Sequence, residues 1–293
     1  MIMGFIDQMR AEGHAVESVC RVLRQEGCQI AARTYRAWRH RSASARDTSD
    51  AVLLNVLHDL VGTPEGLYGR RKMTAWLRRQ GHQVGAGRVD RLMRVAGMNG
   101  VRRGRPVRTT IPAKDGHRAG DLLNRDFTAA APNTKWVADF TYVRTWAGFV
   151  YVAFVLDCYS QKVVAWHAAT SKTTPLVLTP LRIALWERDR AGHPVQPGEL
   201  IAHSDAGSQY TSLRFAEHLA AEGIAASIGT VADAYDNALM ECVIGLYKTE
   251  CITTTIFHDS PYKTIADVEY ATAGWVEWYN NRRLHSSLAM TTP

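Results

Sequence analysis

The sequence predicts a mixed α/β layer fold, a five-stranded sheet with flanking helices, preceded by small all-α helix-turn-helix units. Two observations carry this prediction. Residues 3–41 and 69–98 read as helices separated by short Gly-containing turns. From about Pro132, stretches rich in aromatic and β-branched residues appear, first in a run of three and then alternating with helical segments.

A chain of 293 residues is long enough for more than one domain. At 46% hydrophobic and 22% charged residues, its composition is that of a soluble globular protein. The longest apolar run, FVYVAFVL (149–156), is too short for a membrane span. The opening MIMGFIDQMRAEG lacks the basic-then-apolar layout of a signal peptide. Cys20, Cys28, Cys158, Cys242 and Cys251 are odd in number and form no CxxC pair. The expectation is a protein of a reducing cytoplasm, without a disulfide framework or zinc ribbon. The net charge of +7 divides into +12 over residues 1–118 and −5 over 119–293. That asymmetry predicts a polyanion partner for the N-terminal part.

The expected domains are 1–45, 51–110, a linker over 111–131, and 132–293. VESVCRVLRQEG (16–27) has an apolar face at Val16, Val19, Cys20 and Leu23, and AARTYRAWRHR (31–41) carries Arg33, Arg36 and His40 along one side. A helix, a Gly turn and a second, basic helix form a helix-turn-helix pattern. RSASARDTSD (41–50) reads as a polar linker. In the second unit, GRRKMTAWLRRQG (69–81) ends on Gly81. GRVDRLMRVAGM (87–98) spaces Val89, Leu92, Met93 and Ala96 as a buried face, leaving Arg88, Arg91 and Arg94 off it. The tail VRRGRPVRTT (101–110), with Arg102, Arg103 and Arg105, reads as an extended arm of the kind that tracks phosphates or a groove.

Strands are expected at KWVADFTYVRT (135–145), GFVYVAFVLDCYS (148–160) and KVVAWHAA (162–169), antiparallel because their connections are short. A helix over 173–192 is expected to begin properly only near Pro180. A strand over 199–205, a helix over 212–223, a strand over 224–229 and helices over 236–250 and 265–284 complete the reading.

Asp139 lies within the first strand and Asp205 at the end of the fourth. If those strands are neighbours, the carboxylates meet. The helix 236–250 offers a third in Asp236, Glu241 or Glu250. At about 100° per residue, Asn237 and Lys248 share the azimuth of Glu241, and Glu250 lies opposite. Converging carboxylates repel unless hard cations neutralise them. Two such ions can activate an attacking oxygen and stabilise a leaving one in phosphoryl transfer. On chemistry alone, Asp139 reads equally well as a cap or a buried ion-pair partner.

The stretches WVADFTYV, HSDAGSQYTS, YDNALMECVIGLYKTE and WYNNRRLHSSL, with VCRVLRQEG, YGRRKM and RVDRLMRVAGMNGVRRG before them, resemble the bacterial insertion-sequence DDE transposases. The chain is most similar to the kind encoded by the second of two overlapping reading frames. The resemblance covers nearly the whole chain. It implies a ribonuclease-H-like, retroviral-integrase type of core with Asp139, Asp205 and Glu241 as catalytic and metal-binding carboxylates. The 35 residues between Asp205 and Glu241 fit that family's spacing. It further implies two Mg²⁺ ions, with Mn²⁺ able to substitute. It implies cleavage at the 3′ ends of inverted repeats followed by strand transfer, a homo-oligomer on paired ends, and a partner or fusion from the upstream frame. Ala206, Met240, Cys242 and Ala289 depart from the family's usual residues.

DNA contacts are expected from Arg33, Arg36, Arg88, Arg91, Arg102, Arg103, Arg105 and Lys248. Asn237 is a further candidate, although it reads first as a helix cap. Asp157 reads as a turn residue, His203 as a hydrogen-bonded neighbour of the site, and Trp275, Trp278 and Tyr279 as core. The alternatives are a non-catalytic DNA-binding repressor of transposition and a ribonuclease-H-like structure-selective nuclease.

Overall fold

The computed structural model describes residues 2–102, 120–229 and 237–293. Arg103, Arg105 and Asp236 lie outside the described residues. The chain forms two compact units, Met1–Val56 and Leu57–Pro293.

In the first unit, α1 (Ile2–Ala11), α2 (Val16–Gln25) and α3 (Ala32–His40) enclose Ile6, Val16, Val19, Cys20, Ile30 and Tyr35. The Tyr35 hydroxyl donates to Asp7 and accepts from Arg10 Nη1 at 3.0 Å, which fixes α3 against α1. The linker expected over 41–50 is instead largely helical, for α4 spans Ala45–Asp59. Its start is a capping box: Asp47 N–H donates to Ser44 Oγ at 3.1 Å, and Ser44 N–H donates to Asp47 Oδ2 at 3.1 Å. A Ser-x-x-Asp start was readable in the sequence, but its polar composition masked it.

The second unit begins with the end of α4, a 3₁₀ turn (Pro64–Leu67), α5 (Arg70–Arg79) and α6 (Ala86–Val95). Met73, Leu77, Val89, Leu92 and Met93 are buried, as the periodicity requires. The chain then returns beside the 3₁₀ turn, where Val101 N–H donates to Leu67 O at 3.1 Å. Gly100 makes this possible: its φ is +65°, and a Cβ there would stand 2.7 Å from Gly69 Cα.

The sheet has the order β3-β2-β1-β4-β5, from β1 (Lys135–Thr145), β2 (Gly148–Asp157), β3 (Val163–Ala169), β4 (Ile201–Ser204) and β5 (Ala225–Ile228). The first three strands are antiparallel, and β4 and β5 run parallel to β1. One face carries Trp136, Ala153, Val155 and Ala165 against α7 (Thr174–Arg190) and α8 (Leu213–Ala221). The other carries Phe154, whose ring meets Tyr247 and Trp275, on the side of α9 (Ala238–Leu246) and α10 (Ile265–Asn281).

Two helix expectations are corrected. α7 begins at Thr174, with Pro175 in its first turn, and continues through Pro180. Pro180 forfeits a backbone bond, but burial of Leu176, Val177, Leu178 and Leu181 holds the helix together. The helix read as 236–250 is α-helical only to Leu246, and Tyr247–Ile252 form a π-helical turn. Residues 120–128, part of the expected linker, run beside β5: Leu122 N–H donates to Ser227 Oγ at 2.9 Å. Trp275, Trp278 and Tyr279 are buried, as expected.

Candidate active site

The last paired residues of β1 and β4 are Ala138 and Ser204. Asp139 and Asp205 each follow by one residue, so two adjacent parallel strands deliver both carboxylates to the same sheet end. β4 stops there while β1 runs on, which opens the lip of the sheet beside Asp139. Asp139 is 8% exposed, and its Oδ1 accepts the Phe140 N–H at 2.7 Å. Burial pushes its carboxyl well above the ordinary range, and the Asp205 charge adds to this. Glu241 adds a smaller push, while the Phe140 N–H and Lys248 oppose it. Asp205 Oδ1 accepts the Gly207 N–H at 3.1 Å.

Glu241 lies in the first turn of α9. Although its side chain is exposed, the protein around it raises its carboxyl above the ordinary range. Asp139 therefore senses both other carboxylates. Among the described residues, however, no three His, Cys, Asp or Glu side chains gather tightly enough to enclose a metal. Uncompensated like charges oppose such a gathering.

Three buried oxygens have no hydrogen-bond partner among the described residues: Thr141 Oγ1, Tyr210 Oη and Asn237 Oδ1. Thr141 is two residues along β1 from Asp139. Burial raises the Tyr210 phenol well above its usual value, with further pushes from Asp139 and Asp205. Asn237 is at the N-cap position but makes no side-chain cap; its Nδ2 donates across to Ala138 O at 3.2 Å. The cap reading is thereby corrected: Asn237, 5% exposed, tethers α9 to β1. Carboxylates and neutral oxygens are the ligand types that a hard, hydrated cation takes.

Lys248 is the second residue of the π-helical turn. Its Nζ lies 4.6 Å from the Tyr142 ring centroid, a cation–π contact. Burial lowers its pKa and the charge of Asp139 raises it. Glu250, on the opposite face, is buried and bound by Arg283, so it is neither a third site carboxylate nor a partner for Lys248. Asp157 is a turn residue: it accepts the Asn133 and Ser160 N–H groups, both at 2.8 Å. His203 is buried beside the site and meets Ser227 Oγ at 2.8 Å.

The expected DNA-contacting arginines that are described fall in both units. Arg33 and Arg36 are exposed on α3, and Arg36 pairs with Glu17. Arg88 and Arg91 are half-buried on α6, and Arg102 is exposed. Tyr142, Thr141, Tyr210 and Arg283 were missed by sequence reasoning. All four lay in stretches already singled out, and the strand period of two puts Thr141 on the face of Asp139, but no period connects Tyr142, Tyr210 or Arg283 to the carboxylates.

Two integrase core domain models match residues 129–234 and 222–293, and an HTH-like domain model matches 52–106. The transposase for insertion sequence element IS629 of Shigella sonnei is 42% identical over 100% of this chain and 94% of its own. The transposase for insertion sequence element IS904 of Lactococcus lactis is 31% identical over 87% of this chain and 96% of its own. Among solved structures, the HTLV-2 integrase catalytic core domain in complex with magnesium is 16% identical, spanning 56% of this chain and 96% of that one at a TM-score of 0.38. With its integrase core matches, its HTH-like match and the 42% identical transposase covering its full length, the chain belongs to the insertion-sequence transposases, DNA-binding polynucleotidyl transferases built on an integrase core.

Proposed function

We propose that Asp139, Asp205 and Glu241 are the catalytic carboxylates of this transposase. The observation that carries the reading is that Asp139, within β1, and Asp205, just after β4, each stand one residue past the last paired position of two adjacent parallel strands, with the Asp139 carboxyl raised by burial and by its neighbour. Mg²⁺ ions, two in number and replaceable by Mn²⁺, would be held by these three side chains and would supply Lewis-acid stabilisation of the oxygens at phosphorus. Gly207 and Phe140 orient the two aspartates through their N–H groups. Water attacks the phosphodiester at the 3′ end of the element and expels the 3′ oxygen as a hydroxyl; that 3′-OH then attacks a phosphodiester of the target and expels the target strand's own 3′ oxygen, so each step forms one P–O bond and breaks one. Lys248 meets a phosphate or base edge next to the bond being cut.

The division of labour follows the charge. Residues 1–45 and 51–110 grip the terminal repeats through Arg33, Arg36, Arg88, Arg91, Arg102, Arg103 and Arg105, residues 111–131 link, and 132–293 catalyse. The working form is a homo-oligomer on paired ends, with a partner or fusion from the upstream frame, acting at the nucleoid in the cytoplasm. Among the described residues, no helix is long and apolar enough to cross a membrane.

The test uses DNA carrying the element's own ends, with and without Mg²⁺. Asp139→Asn, Asp205→Asn and Glu241→Gln should each abolish nicking and leave end binding intact, and Lys248→Ala should reduce nicking. Wild-type nicking by any carboxamide variant removes that residue from the triad.

A further inference from the structure

The buried ion pair Glu250–Arg283 belongs to no step of the reaction, yet it is held by several hydrogen bonds and is almost wholly out of solvent. Arg283 Nε donates to both Glu250 oxygens at 3.1 and 2.9 Å, and Nη2 donates to Oε1 at 2.6 Å. Trp275 Nε1 donates to Oε2 at 3.3 Å. The two side chains are 4% and 7% exposed. The guanidinium also lies 5.7 and 5.5 Å from the Trp278 and Tyr279 ring centroids. On either side of Arg283, the backbone is held by one phenol: Leu284 N–H donates to Tyr68 Oη at 3.0 Å, and Tyr68 Oη donates to Arg282 O at 3.3 Å.

A buried ion pair is a poor source of stability, because desolvation offsets the attraction; its best-attested use is to fix register. Register is what is at stake here. Glu250 sits inside the π-helical turn, whose wide ring is closed by Thr253 N–H donating to Lys248 O at 3.0 Å. A π-turn accommodates one more residue than an α-turn, and such turns concentrate at functional sites. The facing of the residues in the turn, Lys248 and Glu250 among them, therefore depends on the turn keeping this wider register.

We propose that Arg283 is a positioning residue: by gripping Glu250 it holds the π-helical turn in register and so sets Lys248 over Tyr142, beside Asp139. The consequence for cleavage rests on the reading of Lys248 as a DNA contact; the positioning itself does not.

The test replaces the pair as a unit in the full chain, Glu250→Met with Arg283→Met, which removes both charges and leaves neither unpaired. Lys248 acetylation by an amine-reactive ester is followed by peptide mass spectrometry, with exposed Lys172 as the internal reference. Melting is measured in parallel. The expected result is severalfold faster acetylation of Lys248, no loss of melting temperature, and end cleavage slowed about tenfold or more. In a Lys248→Ala background the same replacement should cost no further cleavage. Wild-type Lys248 reactivity in the folded paired variant overturns the proposal. Should that variant not fold, Arg283→Lys keeps the charge but loses the two-pronged grip. It must then show the same rise in Lys248 reactivity, and an unchanged rate overturns the proposal equally. Unchanged cleavage by Lys248→Ala alone would sink the DNA role of Lys248, while the acetylation rates still decide the positioning.

Discussion

Gly207→Ala tests the candidate site with the addition of one methyl group. A Cβ at position 207 would stand 2.9 Å from Asp205 Oδ1, whereas ordinary contact begins at 3.4 Å. The carboxylate must therefore retreat by about 0.5 Å, and its 3.1 Å bond from the Gly207 N–H strains with it. Gly207 does not occupy the left-handed backbone region, so alanine brings no backbone strain, and a compatible Gly→Ala change is worth about 0.4–1 kcal/mol through the unfolded chain. The variant should fold with a melting temperature close to wild type. Misplacement of a reacting group by about 1 Å can cost ~10²-fold in rate, so half that displacement corresponds to about tenfold. Single-turnover nicking of end DNA across a Mg²⁺ titration is the assay. The expected outcome is a slowed reaction that excess metal restores in part, with end binding unchanged. Wild-type nicking at every Mg²⁺ concentration, in a protein that melts normally, would refute the reasoning: the position of Asp205 would then not matter to the reaction.

Other outcomes follow from individual side chains. Lys72 is lowered to about 8, first by burial and then by the Arg283 charge. A lysine whose folded pKa lies below the unfolded ~10.4 costs stability at pH values below the folded pKa, and the cost fades as pH rises between the two. Lys72→Met should therefore melt higher than wild type at pH 7, with the gap shrinking between pH 8 and 10; a gap that widens contradicts the buried placement. Ala289 has φ +51°, where a side chain costs about 1–2 kcal/mol. Ala289→Gly returns some of that to chain entropy, so urea unfolding should show a gain of about 0.5–1 kcal/mol; a loss would mean that the turn is not left-handed. Arg33 is exposed on α3, and Arg33→Ala should weaken binding to all DNA sequences and reduce the salt slope by about 1 if it meets a phosphate. An unchanged slope places it off the DNA.

Most of the element order was legible in the sequence, because burial of a face imposes a period that needs no partner to be read. The run 135–145 coincides with β1 to the residue, and Val89, Leu92 and Met93 are the buried side of α6. Composition misled where a local device prevailed over it, as in the Ser44–Asp47 box that starts α4 inside a polar stretch, or where packing outweighed a lost bond, as at Pro180. Of the site, the sequence determined which carboxylates were candidates and, through resemblance, which three to choose. It left open whether β1 and β4 would be neighbours. Strand order is a long-range outcome, and only the parallel register from Lys135–Ile201 to Ala138–Ser204 sets Asp139 beside Asp205. Helical geometry alone put Lys248 and Glu241 on one azimuth and Glu250 opposite. What it could not supply was the π-helical turn, since that widening is held by Arg283, 33 residues on, reaching back from beyond α10. A contact between residues so far apart leaves no period in the chain, and only the folded structure decides it.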